Sequence, residues 1–298
     1  MPTPQLDNRQ LGTDTARLNL LTNGGFEIWQ RGNGPFTTSS TYFADRWWTA
    51  LAGTDTISIS RNTGVIDLRS NYSAACTFTL GTGAGGTGIV QTLKMAGDGY
   101  GLRTATVTFS VRVYGTVANA VRLGINPDGT GGGYTYGSYH TGSGAYETLT
   151  ITRALPGDMT TVNLAVFFAA SGSYYLDNAM LVVGSVAADY APLHPADDLA
   201  RCLRYYEVIG GVATGVPLIG GYNVGGQAAH TNLWFAAKKP VVPTVTINGT
   251  WALTNSSGIG VQSPGAGGVL AYAVVTATGY AYSTPSGASQ FISVEANP

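Results

Sequence analysis

The stretch Thr104-Ala105-Thr106-Val107-Thr108-Phe109-Ser110-Val111-Arg112-Val113 decides the fold. Apolar side chains occupy every second position, with hydroxyl groups and one Arg between them. Successive side chains of an extended chain point to opposite faces, so this alternation predicts a strand with one face in a core. Thr56-Ile57-Ser58-Ile59-Ser60 reads the same way. Further strand candidates are 74–80, 88–94, 118–125, 146–154, 162–169 and 173–183, separated by Gly-rich turns. No helical stretch interrupts them. An all-β fold follows for 19–190, with an antiparallel jelly-roll sandwich as its architecture.

Outward from this block the pattern changes twice. Residues 1–18 carry Pro2, Pro4 and Gly12 with little periodicity and read as an extended attachment arm, in which Leu6, Leu11 and Leu18 are the candidate anchors. After the block comes a Pro-marked linker and one short amphipathic helix, together 191–206. Asp197 and Asp198 stand early and Arg201 late, which complements the helix dipole. Leu199, Cys202, Leu203 and Tyr206 fall on one stripe of that helix. A helix this short is not stable alone in water, so the stripe is expected to pack on symmetry mates. Residues 207–298 return to strands and turns, with 231–237, 241–247, 268–276 and 290–295 the best strands, and read as a second, smaller β-sandwich-like domain.

Composition bounds the function. Of 298 residues 42 are Gly, twice the usual share of about 7%. Charged side chains make up only 10%, and the net charge is −1. No field strong enough to capture nucleic acid arises from that balance. No apolar run is long enough for a membrane-spanning helix, and the first residues lack the basic and apolar regions of a signal peptide. Cys76 and Cys202 are too few and too far apart for a disulfide framework or a zinc site and read as buried thiols. His140, His194 and His230 lie far apart, without metal-ligand spacing. The Gly runs 81–88 and 127–144 lack the Lys and the following helix of a phosphate-cradling loop. Nor is there a Gly-x-Ser-x-Gly elbow. Among the acids only Glu27, Glu147, Glu207 and Glu295 are Glu, and no pair of carboxylates stands out for glycoside cleavage. The chain therefore reads as non-enzymatic.

Tyrosine is over-used, with 17 in the chain. Tyr134, Tyr136 and Tyr139 crowd one Gly-rich loop beside His140. Loop packing, a subunit contact or stacking on a sugar each accounts for them, since a ring face fits the apolar face of a sugar while its hydroxyl hydrogen-bonds. Trp47 and Trp48 are adjacent, so one points inward and the other outward. Asp45 and Arg46 beside them read as structural, a turn-facing carboxylate and a guanidinium over the indole.

Five motifs in order carry a resemblance. Asn19-Leu20-Leu21-Thr22-Asn23-Gly24-Gly25-Phe26-Glu27-Ile28-Trp29-Gln30-Arg31-Gly32 is followed by Ala44-Asp45-Arg46-Trp47, Gly88-Ile89-Val90-Gln91-Thr92-Leu93, Tyr175-Leu176-Asp177-Asn178-Ala179-Met180-Leu181 and Leu199-Ala200-Arg201-Cys202-Leu203-Arg204-Tyr205-Tyr206-Glu207. Over about 19–207 the chain resembles the fibre and virion structural proteins of tailed bacteriophages that contain a jelly roll like those of carbohydrate-binding modules. Lys238-Lys239-Pro240-Val241-Val242-Pro243-Thr244-Val245-Thr246 is similar to the C-terminal part of such fibres. The resemblance implies a homotrimer on the virion surface, assembled in the host cytoplasm and bound to capsid or tail proteins. Two roles remain open: a head fibre, capsid decoration or short tail appendage, or a tail-fibre or tailspike-type protein that recognises a host-surface glycan. It also implies a structural calcium held by Glu27 and Asp177, the positions matching a Glu and an Asp of related modules.

Overall fold

The computed structural model describes residues 19–211, 217–285, 287 and 289–297. The arm with Leu6, Leu11 and Leu18 lies outside the described residues. The chain divides into two compact units, the first running through Leu199 and the second from Ala200 to Asn297. Among the described residues no helix is long and apolar enough to cross a membrane.

The first unit is a sandwich of two five-stranded antiparallel sheets. Across sheet one the order is β1 (Trp48–Ala50), β4 (Thr87–Lys94), β9 (Thr161–Phe168), β6 (Val121–Pro127) and β7 (Thr135–Tyr139). Across sheet two it is β2 (Thr56–Asn62), β3 (Ser73–Thr79), β10 (Gly172–Val183), β5 (Thr106–Tyr114) and β8 (Glu147–Ala154). The alternation of the deciding stretch is realised: Val107, Phe109, Val111 and Val113 are fully buried and share one core with Ile89 and Leu93 of β4 and Leu164, Val166 and Phe168 of β9. Each such side chain contributes roughly 1.5–3 kcal/mol on burial.

The segment before β1 is wired into this core by polar side chains. Asn19 donates from Nδ2 to the Ala179 carbonyl at 3.1 Å and accepts from the Leu21 and Leu181 N–H groups through Oδ1. Gln91, fully buried on β4, exchanges two 2.9 Å hydrogen bonds with the backbone of Thr22. Asn23 bonds the backbone at Ile28 and Asp45. At Gly24 a Cβ would stand 2.2 Å from the Ala179 carbonyl oxygen, so only Gly lets the segment approach β10, where the ladder to β5 slips between Asp177 and Met180. The first motif thus spends its Asn and Gly residues on joining the two ends of the unit.

The helix α1 spans Pro195–Leu203, and Tyr206 opens strand β11 (Tyr206–Gly210) instead of closing the helix. Cys202 and Tyr206 are already buried within the chain, while Leu199 stays 38% exposed. This corrects the expected stripe: half of it needs no symmetry mate. Two glycine-rich or very short strands were also not legible: β1 has three residues, and β7 lies inside the stretch read as a loop.

The second unit is all-β and resolves into three three-stranded antiparallel sheets. One joins β11, β19 (Phe291–Glu295) and β14 (Thr244–Asn248); another joins β12 (Ile219–Asn223), β18 (Gly279–Thr284) and β15 (Ala252–Thr254). The third joins β13 (Ala228–Trp234), β17 (Gly268–Val275) and β16 (Ser256–Gly265). Their inner faces share a core that includes Ile219, Leu233, Val269, Ala271, Ile292 and Val294. Lys239, in the motif similar to fibre C-termini, is a buried ammonium paired with Glu207 Oε2 at 2.7 Å, and it also donates to the Leu203 carbonyl. Paired and hydrogen-bonded, the charge can be buried.

Candidate functional site: the outer face of sheet one

With Val162, Leu164, Val166 and Phe168 of β9 turned into the core, Asn163, Ala165 and Phe167 project from the other side of sheet one. Strand register then aligns three cross-strand rows. Trp48, Val90, Ala165, Gly124 and Tyr136 form one. Ala50, Gly88, Phe167, Arg122 and Tyr139 form the second, and Thr92, Asn163 and Asn126 the third.

Small residues in the middle let the large rings lie down. A Cβ on Gly124 would stand 2.9 Å from both Phe167 Cε2 and Tyr134 Cδ1. Tyr134 and Tyr136 each meet Phe167 edge-on, at 4.8 and 5.6 Å between centroids, and stack on each other at 5.8 Å. Edge-to-face contacts of this kind are favoured by the ring quadrupole. The Arg122 guanidinium lies 3.7 Å above the Tyr136 centroid and 5.0 Å from that of Tyr139. Burial, with the neighbouring Tyr136, pushes the Tyr134 hydroxyl up to about 12, so it stays a neutral donor at any ordinary pH. At the opposite edge Trp48 Nε1 donates to Thr92 Oγ1 at 3.3 Å, and Thr92 donates to Asn163 Oδ1 at 2.7 Å. Phe167 is buried, whereas Tyr136 remains 43% exposed.

The three tyrosines singled out in the sequence are therefore brought to one place, on a strand and its approach instead of a free loop. Trp47 is the inward Trp and Trp48 the outward one. His140 turns away and is fully buried, with Nδ1 accepting from the Gly142 N–H at 3.2 Å. Sequence reasoning missed Phe167, Arg122, Thr92 and Asn163. Alternation along each strand tells which of its residues leave the core, but not which strands are neighbours; only register reveals that they share a surface with the tyrosines.

Glu27 and Asp177, for which the resemblance implies a calcium, are engaged in the structure by hydrogen-bond donors of segment 67–72. Glu27 Oε1 accepts from the Asn71 N–H at 2.7 Å and Oε2 from Asn71 Nδ2 at 3.2 Å. Asp177 Oδ2 accepts from the Asp67 N–H at 3.0 Å, and Oδ1 from Ser70 Oγ at 2.9 Å and the Asn178 N–H at 2.8 Å. Calcium needs six to eight oxygens converging on one point. Here each carboxylate oxygen faces a hydrogen-bond donor, and the pair clamps the two ends of segment 67–72. Among the described residues no group of three or more His, Cys, Asp or Glu is placed to hold a metal. As arranged, the donor set does not fit the ion. Burial raises Asp177 to about 7 despite these donors. Arg112 pairs with Asp67 at 2.6 Å and, against the effect of burial, holds that carboxyl below its usual range.

No family model matches the chain, and no curated protein matches it. Solved structures similar to it include the CBM22-1 xylan-binding domain of Paenibacillus barcinonensis Xyn10C, at 14% identity and a TM-score of 0.38 over 57% of this chain and 96% of that one. The tandem CBM22-1–CBM22-2 domain of the same enzyme aligns at 12% and 0.37 over 89% and 96%. The enzymatically active domain of bacteriophage CBA120 tailspike protein 4 aligns at 13% and 0.40 over 56% and 22%. At these values ligand and activity have to be argued from the chain's own residues.

Proposed function

We propose that the chain is a non-enzymatic surface protein of a tailed-bacteriophage virion, fixed by its N-terminal arm, that adheres to glycans through the outer face of sheet one. The observation that carries the glycan reading is that Trp48 and Tyr136, both accessible, share one cross-strand row, with Tyr134 and Tyr139 beside Tyr136, buried Phe167 beneath Tyr134 and Tyr136, and the hydroxyl, amide and guanidinium groups of Thr92, Asn163, Asn126 and Arg122 in the neighbouring rows. Flat rings set among hydrogen-bonding groups match the alternating apolar faces and hydroxyls of a sugar chain. No Asp or Glu stands in these rows, whereas glycoside cleavage uses a pair of carboxylates, which supports binding without cutting.

The virion role rests on the five ordered motifs. The homotrimer rests on the same resemblance and on Leu199, left exposed on α1. Within that reading the role is a head fibre, capsid decoration or short tail appendage. The alternative is a tail-borne receptor-binding protein. A glycan array with the intact chain and the W48A/Y136A variant tests adhesion. The expected result is binding to at least one glycan that falls about tenfold or more in the variant; equal signals from both chains would remove the face from the reading. Antibody labelling of virions in the electron microscope separates head from tail.

A further inference from the structure

The second unit carries another face of related chemistry. Between Glu207 and Glu295 the only charged side chains are Lys238 and Lys239, and Lys239 is buried against Glu207. Between those two acids the surface therefore carries a single exposed charged side chain, Lys238. On the third sheet, Ala229 and Leu233 of β13 and Val269, Ala271 and Ala273 of β17 point inward, which turns His230, Asn232 and Trp234 outward beside Leu270 and Tyr272. Ile259 and Val261 pack on the core, which places Gly260 and Gln262 of β16 on that same outer side.

Register pairs the two rings with glycine. Trp234 stands opposite Gly268, where a Cβ would meet its ring at 3.2 Å, and Tyr272 stands opposite Gly260, where a Cβ would lie 2.4 Å from the ring. Each ring thus lies over a neighbouring strand; Trp234 is 77% exposed, and Tyr272 is half-buried with the His230 ring 6.2 Å away. Gln262 Nε2 and His230 Nε2 meet at 3.1 Å above β17. An open cleft of about 330 Å³ borders Trp234, lined also by Asn232, Ser263, Gly265 and Leu270.

We infer that this face is a second glycan-binding site, and that it takes an uncharged polysaccharide. An exposed indole lying flat supplies the stacking surface, and Asn232, Gln262 and Ser263 supply neutral hydrogen-bonding groups for sugar hydroxyls. The near absence of charge removes any pairing for uronate, sulfate or phosphate groups and leaves a neutral chain as the complementary partner. The site is independent of the face on sheet one, since it lies in the other unit and shares no residue with it.

Affinity electrophoresis of the intact chain through gels containing a β-glucan, a mannan, a galactan, a xylan or, as the charged comparison, polygalacturonate tests this. At least one neutral polysaccharide is expected to retard the protein, with apparent affinity falling about tenfold or more in W234A and falling also in N232A/Q262A. That retardation is expected to survive in W48A/Y136A, so failure of the sheet-one site and failure of this one give different patterns. Trp234 is exposed, so its removal leaves the core intact. The inference is overturned if no neutral polysaccharide distinguishes W234A from the parent chain, if only polygalacturonate does, or if W234A instead lowers the sedimentation coefficient, which would make the face a contact between copies.

Discussion

The two aromatic faces use the same residue types with opposite economies of burial. On sheet one, Tyr134 and Tyr136 lean on Phe167 and under Arg122, so the rings hold one another and much of their area is spent inside the protein. On the third sheet of the second unit, Trp234 and Tyr272 lie over glycine, and Trp234 keeps most of its ring exposed. The first arrangement fixes geometry at the expense of accessible area; the second keeps area and has little beneath it to lose. Stability and binding should therefore separate differently on the two faces.

The largest expected effect is at the ring that holds the others. Phe167→Ala removes a buried side chain from beneath Tyr134 and Tyr136 and is expected to cost about 3–5 kcal/mol, read as a drop in Tm of the first unit together with weaker glycan binding. A loss below about 1 kcal/mol would mean that Phe167 is not the support of that face.

Next comes the clamp behind sheet two. The carboxyl of Asp177 titrates near 7 in the folded chain and near 3.9 when unfolded. Between those values the folded chain keeps a proton that the unfolded chain has lost, so stability is present in full below about pH 4 and falls as pH rises toward 7. The change is on the order of 2–4 kcal/mol. Asp177→Asn, neutral at every pH, should flatten this dependence in thermal melts; parallel slopes for the two chains would count against it.

Trp234→Ala sits at the other extreme. Because its ring is exposed, unfolding free energy is expected to change by no more than about 0.5 kcal/mol, measured by denaturant titration, even where polysaccharide binding is lost. Smallest of all is the response to a chelator. Since Glu27 and Asp177 spend their oxygens on N–H and O–H donors, EDTA is expected to leave Tm unchanged, and a fall of several degrees would restore a calcium ion to this end of the unit.

Legibility followed period and length. The strands of sheet two announced themselves because one face meets the core and the other is mostly polar, as in β5 and β2. In sheet one β4, β6 and β9 were read within a few residues, whereas β1, with three residues, and β7, short and with Gly137 at its centre, were not. The three tyrosines were found by their crowding, whereas Arg122 and Phe167 became partners only through register. In the second unit β13 begins three residues before the predicted start, and β11, β12, β15, β16 and β18 were not foreseen, since Gly, Ala and Ser give most of these strands little contrast between faces.

The sequence by itself determined the all-β character, the long strand at the heart of the first sandwich, the helix at 195 and the poverty of charge. Those are properties of neighbouring residues, set by backbone geometry and by which side chains water accepts. Tertiary structure alone decided what the polar and aromatic groups do. It made Glu27 and Asp177 a clamp, set Tyr206 on a strand instead of the helix, and divided the second unit among three sheets. It also set Trp48 and Tyr136 on one surface although 88 positions separate them in the chain. Strand pairing brings such groups together, and pairing is chosen by the whole core at once rather than by any local stretch.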